Sequence, residues 1–297
     1  MTITRHSPSN GPTSPDVWGL YEEETGSIQY VAACPATGQA ALIDVVLDFD
    51  PKAASTSTDS AKAVLDLVNR EGLEVAMILD THPHADHMTA AAWLKEETGA
   101  PTAIGQKVTE IAAIWRDLYN LPDAFDPARC FDRMFAEGET FAIGDLYFQV
   151  MLSPGHTLGS VTYVAGDAAF VHDTLMYPDS GTARADFPGG TTEELWASIQ
   201  SILALPDTTR LFVGHDYGKD GRDPAWEATV ADHKARNIHV KDGTAKSDFI
   251  KTRDDRDATL ALPDRMLHAL QVNLRGGRMP PAEADGHSYF KIPANKF

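Results

Sequence analysis

The chain has 297 residues, 43% of them hydrophobic, with 25 Lys and Arg against 43 Asp and Glu and a net charge of −18. That length and hydrophobicity are enough for one large domain, or for one domain with an appendage. The charge repels phosphate backbones and anionic membrane surfaces, so neither nucleic acid nor membrane is expected as a partner. An anionic small molecule would need a local cluster of Arg and Lys. The two cysteines, Cys34 and Cys130, form no C-x-x-C pair and read as buried thiols in a reducing, cytoplasmic setting. No run is apolar enough for a signal peptide or a membrane span.

Residues 1–15, rich in Ser, Pro and Asn, read as a flexible tail. Residues 28–34 and 40–46 are strand-like and flank a turn at 35–39. The spacing of Ala63, Val64, Leu67 and Val68 predicts a helix over 59–70, stopped by Gly72. A short apolar strand, 75–79, follows, and helices are expected over 88–97 and 105–119. From Glu139 the period changes to two, predicting strands at 141–143, 146–152, 161–164 and 168–171. A helix over 192–205 and a strand at 211–213 complete a body expected to span 16–223. Residues 224–297 read as a helical extension packed on the same domain, with helices at 225–237, 247–256 and 263–272.

The most informative stretch is Thr81-His82-Pro83-His84-Ala85-Asp86-His87, placed directly after the 75–79 strand. Three imidazoles and a carboxylate at a strand end need partners or a metal, because uncompensated polar groups there are costly. Later strand ends carry the same residue types at His156, Asp173 and His215. The long intervals between them mean that separate loops must meet in space, and the absence of nearby thiolates argues against a closed structural zinc site. Elements that repeatedly end in such residues suit two sheets covered by helices, with loops converging on one edge.

These segments, T-H-x-H-A-D-H, Pro154-Gly155-His156-Thr157, the Asp at a strand end and Gly214-His215-Asp216-Tyr217, resemble the metallo-β-lactamase superfamily. The resemblance implies an α+β fold, an αβ/βα sandwich with its site between two sheets at one edge. Within the superfamily the chain is similar to persulfide dioxygenases of the ethylmalonic-encephalopathy-protein type. The A-D-H ending, the loop Gly181-Thr182-Ala183-Arg184-Ala185-Asp186-Phe187 and the segments at 272–280 and 291–295 carry that likeness.

The resemblance implies one Fe(II) per chain on His82, His156 and Asp173, a set that leaves positions open for dioxygen and substrate. His84, Asp86, His87 and His215 would then surround the ligands, with Asp86, His87 and Tyr217 as the expected catalytic groups. The implied reaction oxidises glutathione persulfide with O2 to sulfite and glutathione. Arg184, Tyr177, Arg275, Arg278 and Lys291 are the expected substrate contacts. The alternative is a binuclear zinc hydrolase of thioesters or lactones, similar to glyoxalase II. There His82, His84 and His156 hold one metal, Asp86, His87 and His215 the other, and Asp173 bridges. Residue 172 is usually glycine in these families; here it is His172, expected to turn away from the site as strand alternation implies. The apolar helices near the C-terminus are compatible with a homodimer.

Overall fold

A computed structural model describes residues 3–297. Two sheets face each other. The first has seven strands in the order Ile3–Ser7, Asp16–Glu22, Ser27–Ala33, Gln39–Ile43, Glu74–Leu79, Thr102–Gly105, Arg133–Phe135. Its first four are joined antiparallel, and the last four run parallel. The second sheet runs Thr140–Ile143, Leu146–Leu152, Val161–Ala165, Ala168–Phe170, Arg210–Phe212, Glu227–Thr229. It is antiparallel except for one parallel pairing, Ala168–Phe170 with Arg210–Phe212.

Alternation along these strands explains the layering, because successive side chains leave a strand on opposite faces. Tyr30, Ala32, Ala41 and Ile43 point into the space between the sheets, where they meet Phe148, Val150, Tyr163, Phe170 and Phe212. Their neighbours Val31, Leu42 and Ile78 face outward and bury Val64, Leu67 and Val68 of the Asp59–Arg70 helix. Leu195, Ile199 and Ile202 of the Thr192–Leu203 helix join the central core. The result is an αβ/βα sandwich.

Three expectations need correction. Residues 3–7 are not a tail: they form an edge strand paired in register with residues 17–21. The helix expected over 225–237 is instead a strand, Glu227–Thr229, followed by a helix, Val230–Arg236, because Thr229 and Asp232 form a reciprocal N-terminal cap at that point. Cys130 is only half-buried, whereas Cys34 is buried. Among the described residues no helix is long and apolar enough to cross a membrane.

Candidate metal centre

The two sheets are tied together at one edge, by Val161 N–H donating to Thr81 O (3.0 Å) and Ile28 N–H donating to Gly214 O (2.8 Å). Five strand ends meet there and deliver Asp44, the 80–87 loop, His156, His172–Asp173 and His215–Asp216. The 80–87 loop is pinned from the C-terminal segment. Asn273 donates from Nδ2 to His84 O and His87 O, both at 2.8 Å, and accepts from Thr89 N–H at 2.8 Å.

His82, His156 and Asp173 converge. Nε2 of His82 and Nε2 of His156 each lie 3.6 Å from Asp173 Oδ2. Nδ1 of His156 is 2.8 Å from Arg184 O, which places the ring proton on Nδ1 and leaves the Nε2 lone pair free. His82 Nε2 is buried with no hydrogen-bond partner. Burial pulls both imidazoles below the ordinary histidine pKa, helped at His82 by His84, so both rings are neutral donors. An orphaned buried nitrogen beside a second free nitrogen and a carboxylate oxygen is a donor set that fits a divalent metal.

His215 sits between two carboxylates. Its Nδ1 is 2.7 Å from Asp173 Oδ1 and its Nε2 is 2.6 Å from Asp86 Oδ2, with Ser27 Oγ 3.0 Å from the same Nε2. Burial opposes its charge, yet Asp173 and Asp86 outweigh burial and hold the imidazole well above its usual pKa. The cation in turn holds both carboxyls well below the carboxylate range against their own burial. One oxygen of Asp173 is therefore committed to His215, and the other is presented to His82 and His156. His87 Nδ1 touches Asp86 Oδ2 (3.2 Å) and Ser27 Oγ (3.2 Å), while its Nε2 is unpartnered, as is Nδ1 of His84.

His172 is buried in this cluster, contrary to its expected outward orientation. The strand ends at Phe170, so residue 172 lies in a 3-10 turn with φ of 42° and strand alternation no longer applies. Its Nε2 is 2.8 Å from Asp44 Oδ2 and its Nδ1 3.5 Å from Asp173 Oδ1. Burial would lower its pKa, but Asp44 and Asp173 raise it to about 9. Gly214 makes room for the ring, since a Cβ there would collide with it.

Asp44 joins the site without having been expected from the sequence. It accepts from Thr81 N–H (2.7 Å) and His84 Nε2 (2.9 Å) through Oδ1 and faces His172 through Oδ2. The signal was present, an acid at the end of the 39–43 strand, but without a motif around it. Asn273 and Ser27 were also missed.

A cavity of about 680 Å³ opens from Asp86, His156, Asp173 and His215 toward Tyr217, Lys219, His239 and Arg256. Phe187 packs edge-on against His156 at 5.3 Å. Tyr217 lies on the rim, stacked on His215 at 6.1 Å and largely exposed.

The expected substrate contacts fare unevenly. Arg184 lines the cavity, but its guanidinium is engaged by both oxygens of Asp186 (2.6 and 2.7 Å) and by Ala261 O (2.7 Å). The other four are not brought to this cavity. Tyr177 lies under Arg222 and Arg236. Arg275 covers Phe125 and bonds Gln271 O, Arg278 bonds Cys130 O at 3.2 Å, and Lys291 bonds Asn120 O at 2.8 Å. These three tie the C-terminal segment to the body.

Comparison with known proteins agrees with this architecture. Residues 29–215 match the Metallo-beta-lactamase superfamily model. A Beta-lactamase hydrolase-like protein of Agrobacterium fabrum is 55% identical over 94% of this chain, which spans 64% of that relative's length. A probable metallo-hydrolase of Burkholderia pseudomallei is 43% identical over 93% of this chain and 98% of its own. The crystal structure of ETHE1 from Myxococcus xanthus superposes with a TM-score of 0.70 at 30% identity, covering 88% of this chain and 98% of that one. With its two-sheet sandwich and the buried His/Asp cluster at one edge, the chain belongs to the metallo-β-lactamase superfamily.

Proposed function

We propose that this protein is a mononuclear Fe(II) persulfide dioxygenase, converting glutathione persulfide, O2 and water to glutathione and sulfite. The observation that carries the reading is the convergence of His82 Nε2, His156 Nε2 and Asp173 Oδ2, two buried imidazole nitrogens and one carboxylate oxygen turned to one point. Asp86, Asp173 and His215 also lie close enough to share an ion, and in the mononuclear reading they form the hydrogen-bonded frame around Asp173. His82, His156 and Asp173 would hold the iron. When bound, ferrous iron supplies the open positions and the electrons needed to activate dioxygen.

The chain's own residues do the rest. His215 fixes the rotation of the Asp173 carboxylate by holding Oδ1. The Arg184 carbonyl fixes the tautomer of His156. Phe187, against His156, and Ala85 keep that side of the pocket apolar and limit water at the reacting sulfur. Tyr217, on the rim, offers a hydroxyl to the bound substrate. The similarity to ETHE1 of Myxococcus xanthus supports the reading.

A second reading has an observation of its own. His84 Nδ1 and His87 Nε2 are also buried and unpartnered, as a binuclear zinc thioester hydrolase would require. Oxygen uptake separates the two. Protein loaded anaerobically with Fe(II) should consume O2 on addition of glutathione persulfide and release sulfite, with one iron per chain. His82→Ala should lose both iron and uptake. No uptake by protein shown to hold iron overturns the dioxygenase reading, and hydrolysis of S-lactoylglutathione by the zinc-loaded protein becomes the next assay.

A further inference from the structure

Beside the metal centre lies a second, much smaller cavity. It holds about 20 Å³, against about 680 Å³ for the main one. Pro83, Ala85, Ile111, Trp115, Phe187 and Leu270 line it, with His156 and Thr157 next to them. Five of these, all but the proline, His156 and Thr157, belong to a hydrophobic cluster separate from the two that pack the sheets. Ile111 and Trp115 stand one turn apart on the Val108–Tyr119 helix and so share a face. Leu270 comes from the Met266–Asn273 helix. Ala85, His156 and Phe187 line both cavities, so an imidazole, a phenyl ring and a single methyl group stand between them.

The side cavity suits a nonpolar occupant. A buried water makes about three hydrogen bonds, and the side chains here offer little toward that. His156 places Nδ1 on Arg184 O and turns Nε2 to Asp173, and Thr157 Oγ1 lies 2.8 Å from Ser160 Oγ. The Trp115 indole N–H is the one polar side-chain group left among the lining residues. Apolar cavities of this kind stay dry and take up nonpolar gases. At about 20 Å³ this one admits a molecule little larger than water and excludes any thiol carrier.

We propose that this side cavity is a dioxygen site, which holds one diatomic molecule in the apolar cluster and passes it by Ala85 to the metal position next to His156. It rests on the dioxygenase reading of the main cavity. Two substrates must meet at one metal, and a persulfide bound in the main cavity blocks the approach from its mouth. A separate apolar chamber on the far side of His156 and Phe187 lets dioxygen wait while the carrier is in place.

The test reads dioxygen itself. Zinc-loaded, diamagnetic protein is placed under raised O2 pressure, and methyl resonances are followed as paramagnetic O2 dissolves. The Ala85 methyl and the Ile111 δ-methyl should broaden or shift more than the buried methyls of Ile199 and Ile202 in the central core. Leu270→Phe, which fills the cavity, should remove that excess, and Leu270→Met should keep it. In the iron-loaded enzyme Leu270→Phe should raise KM for O2 about fivefold, with kcat and KM for the persulfide held within about twofold. If that variant fails to fold, Ile111→Phe fills the same space from another helix, with the Ala85 methyl as reporter. Absence of the excess in wild type overturns the site, and oxygen uptake then leaves the dioxygenase reading standing. An excess that Leu270→Phe removes upholds the site even if the iron-loaded protein consumes no oxygen, an outcome that sinks the dioxygenase reading alone. An unchanged KM for O2 in a variant that has lost the excess overturns the delivery role.

Discussion

Asp44 shows how much a single side chain organises here. It is fully buried, holds a backbone φ of 51°, and serves Thr81, His84 and His172 with one carboxylate. Its pKa lies well below the carboxylate range because His172 and His84 outweigh its burial. Asp44→Ala should therefore cost about 3–5 kcal/mol, the scale of breaking a buried charge pair, and should also lower metal retention. Thermal unfolding and metal analysis of the purified variant check both; an unchanged Tm would show that the two imidazoles find other partners. The histidines of the motif were legible because they are contiguous. Asp44 was not, since an acid after an apolar strand is common, and His172 was misread because its turn rotates the ring inward.

Elements hold the site through a few polar anchors. The Met266–Asn273 helix ends on Asn273, whose side chain makes three hydrogen bonds to the histidine loop and the strand after it. Asn273→Ala leaves buried carbonyls and an N–H unsatisfied, and should destabilise by about 2–3 kcal/mol while loosening metal binding. Denaturant unfolding with and without bound metal measures the two effects. At Thr229 the loss is smaller. Its hydroxyl accepts from Asp232 N–H at 3.1 Å, and Thr229→Ala should cost about 1 kcal/mol in the same assay, with no change in metal content. Helix 59–70 and strand 146–152 could be read to the residue from their periods. The 225–237 region could not, because a cap in the middle of an apparently helical run is a short signal against a long one.

At the scale of the molecule, stability should follow both pH and metal. His233 is buried and its pKa is lowered to about 4 by burial and by Arg236. Protonation therefore favours the unfolded chain, so its contribution is complete above the ordinary value of 6.5 and is lost as pH falls toward 4. The loss amounts to about 3 kcal/mol at the low end. Melting curves from pH 7.5 to 4 should slope downward, and His233→Gln should flatten that slope. Chelation should lower Tm at neutral pH, because a metal bound only by the folded state stabilises it by mass action.

The sequence by itself determined the sandwich class, the order of most elements and the seven His and Asp residues that gather at one edge. It could do so because strand and helix periods are local, and because ligand-type residues at strand ends are costly without partners. Only the tertiary structure decided which oxygen of Asp173 is free, that His215 is held between two carboxylates, that His172 faces inward, and which cations reach the cavity. Those outcomes depend on distances between loops far apart in the chain, which no local pattern encodes.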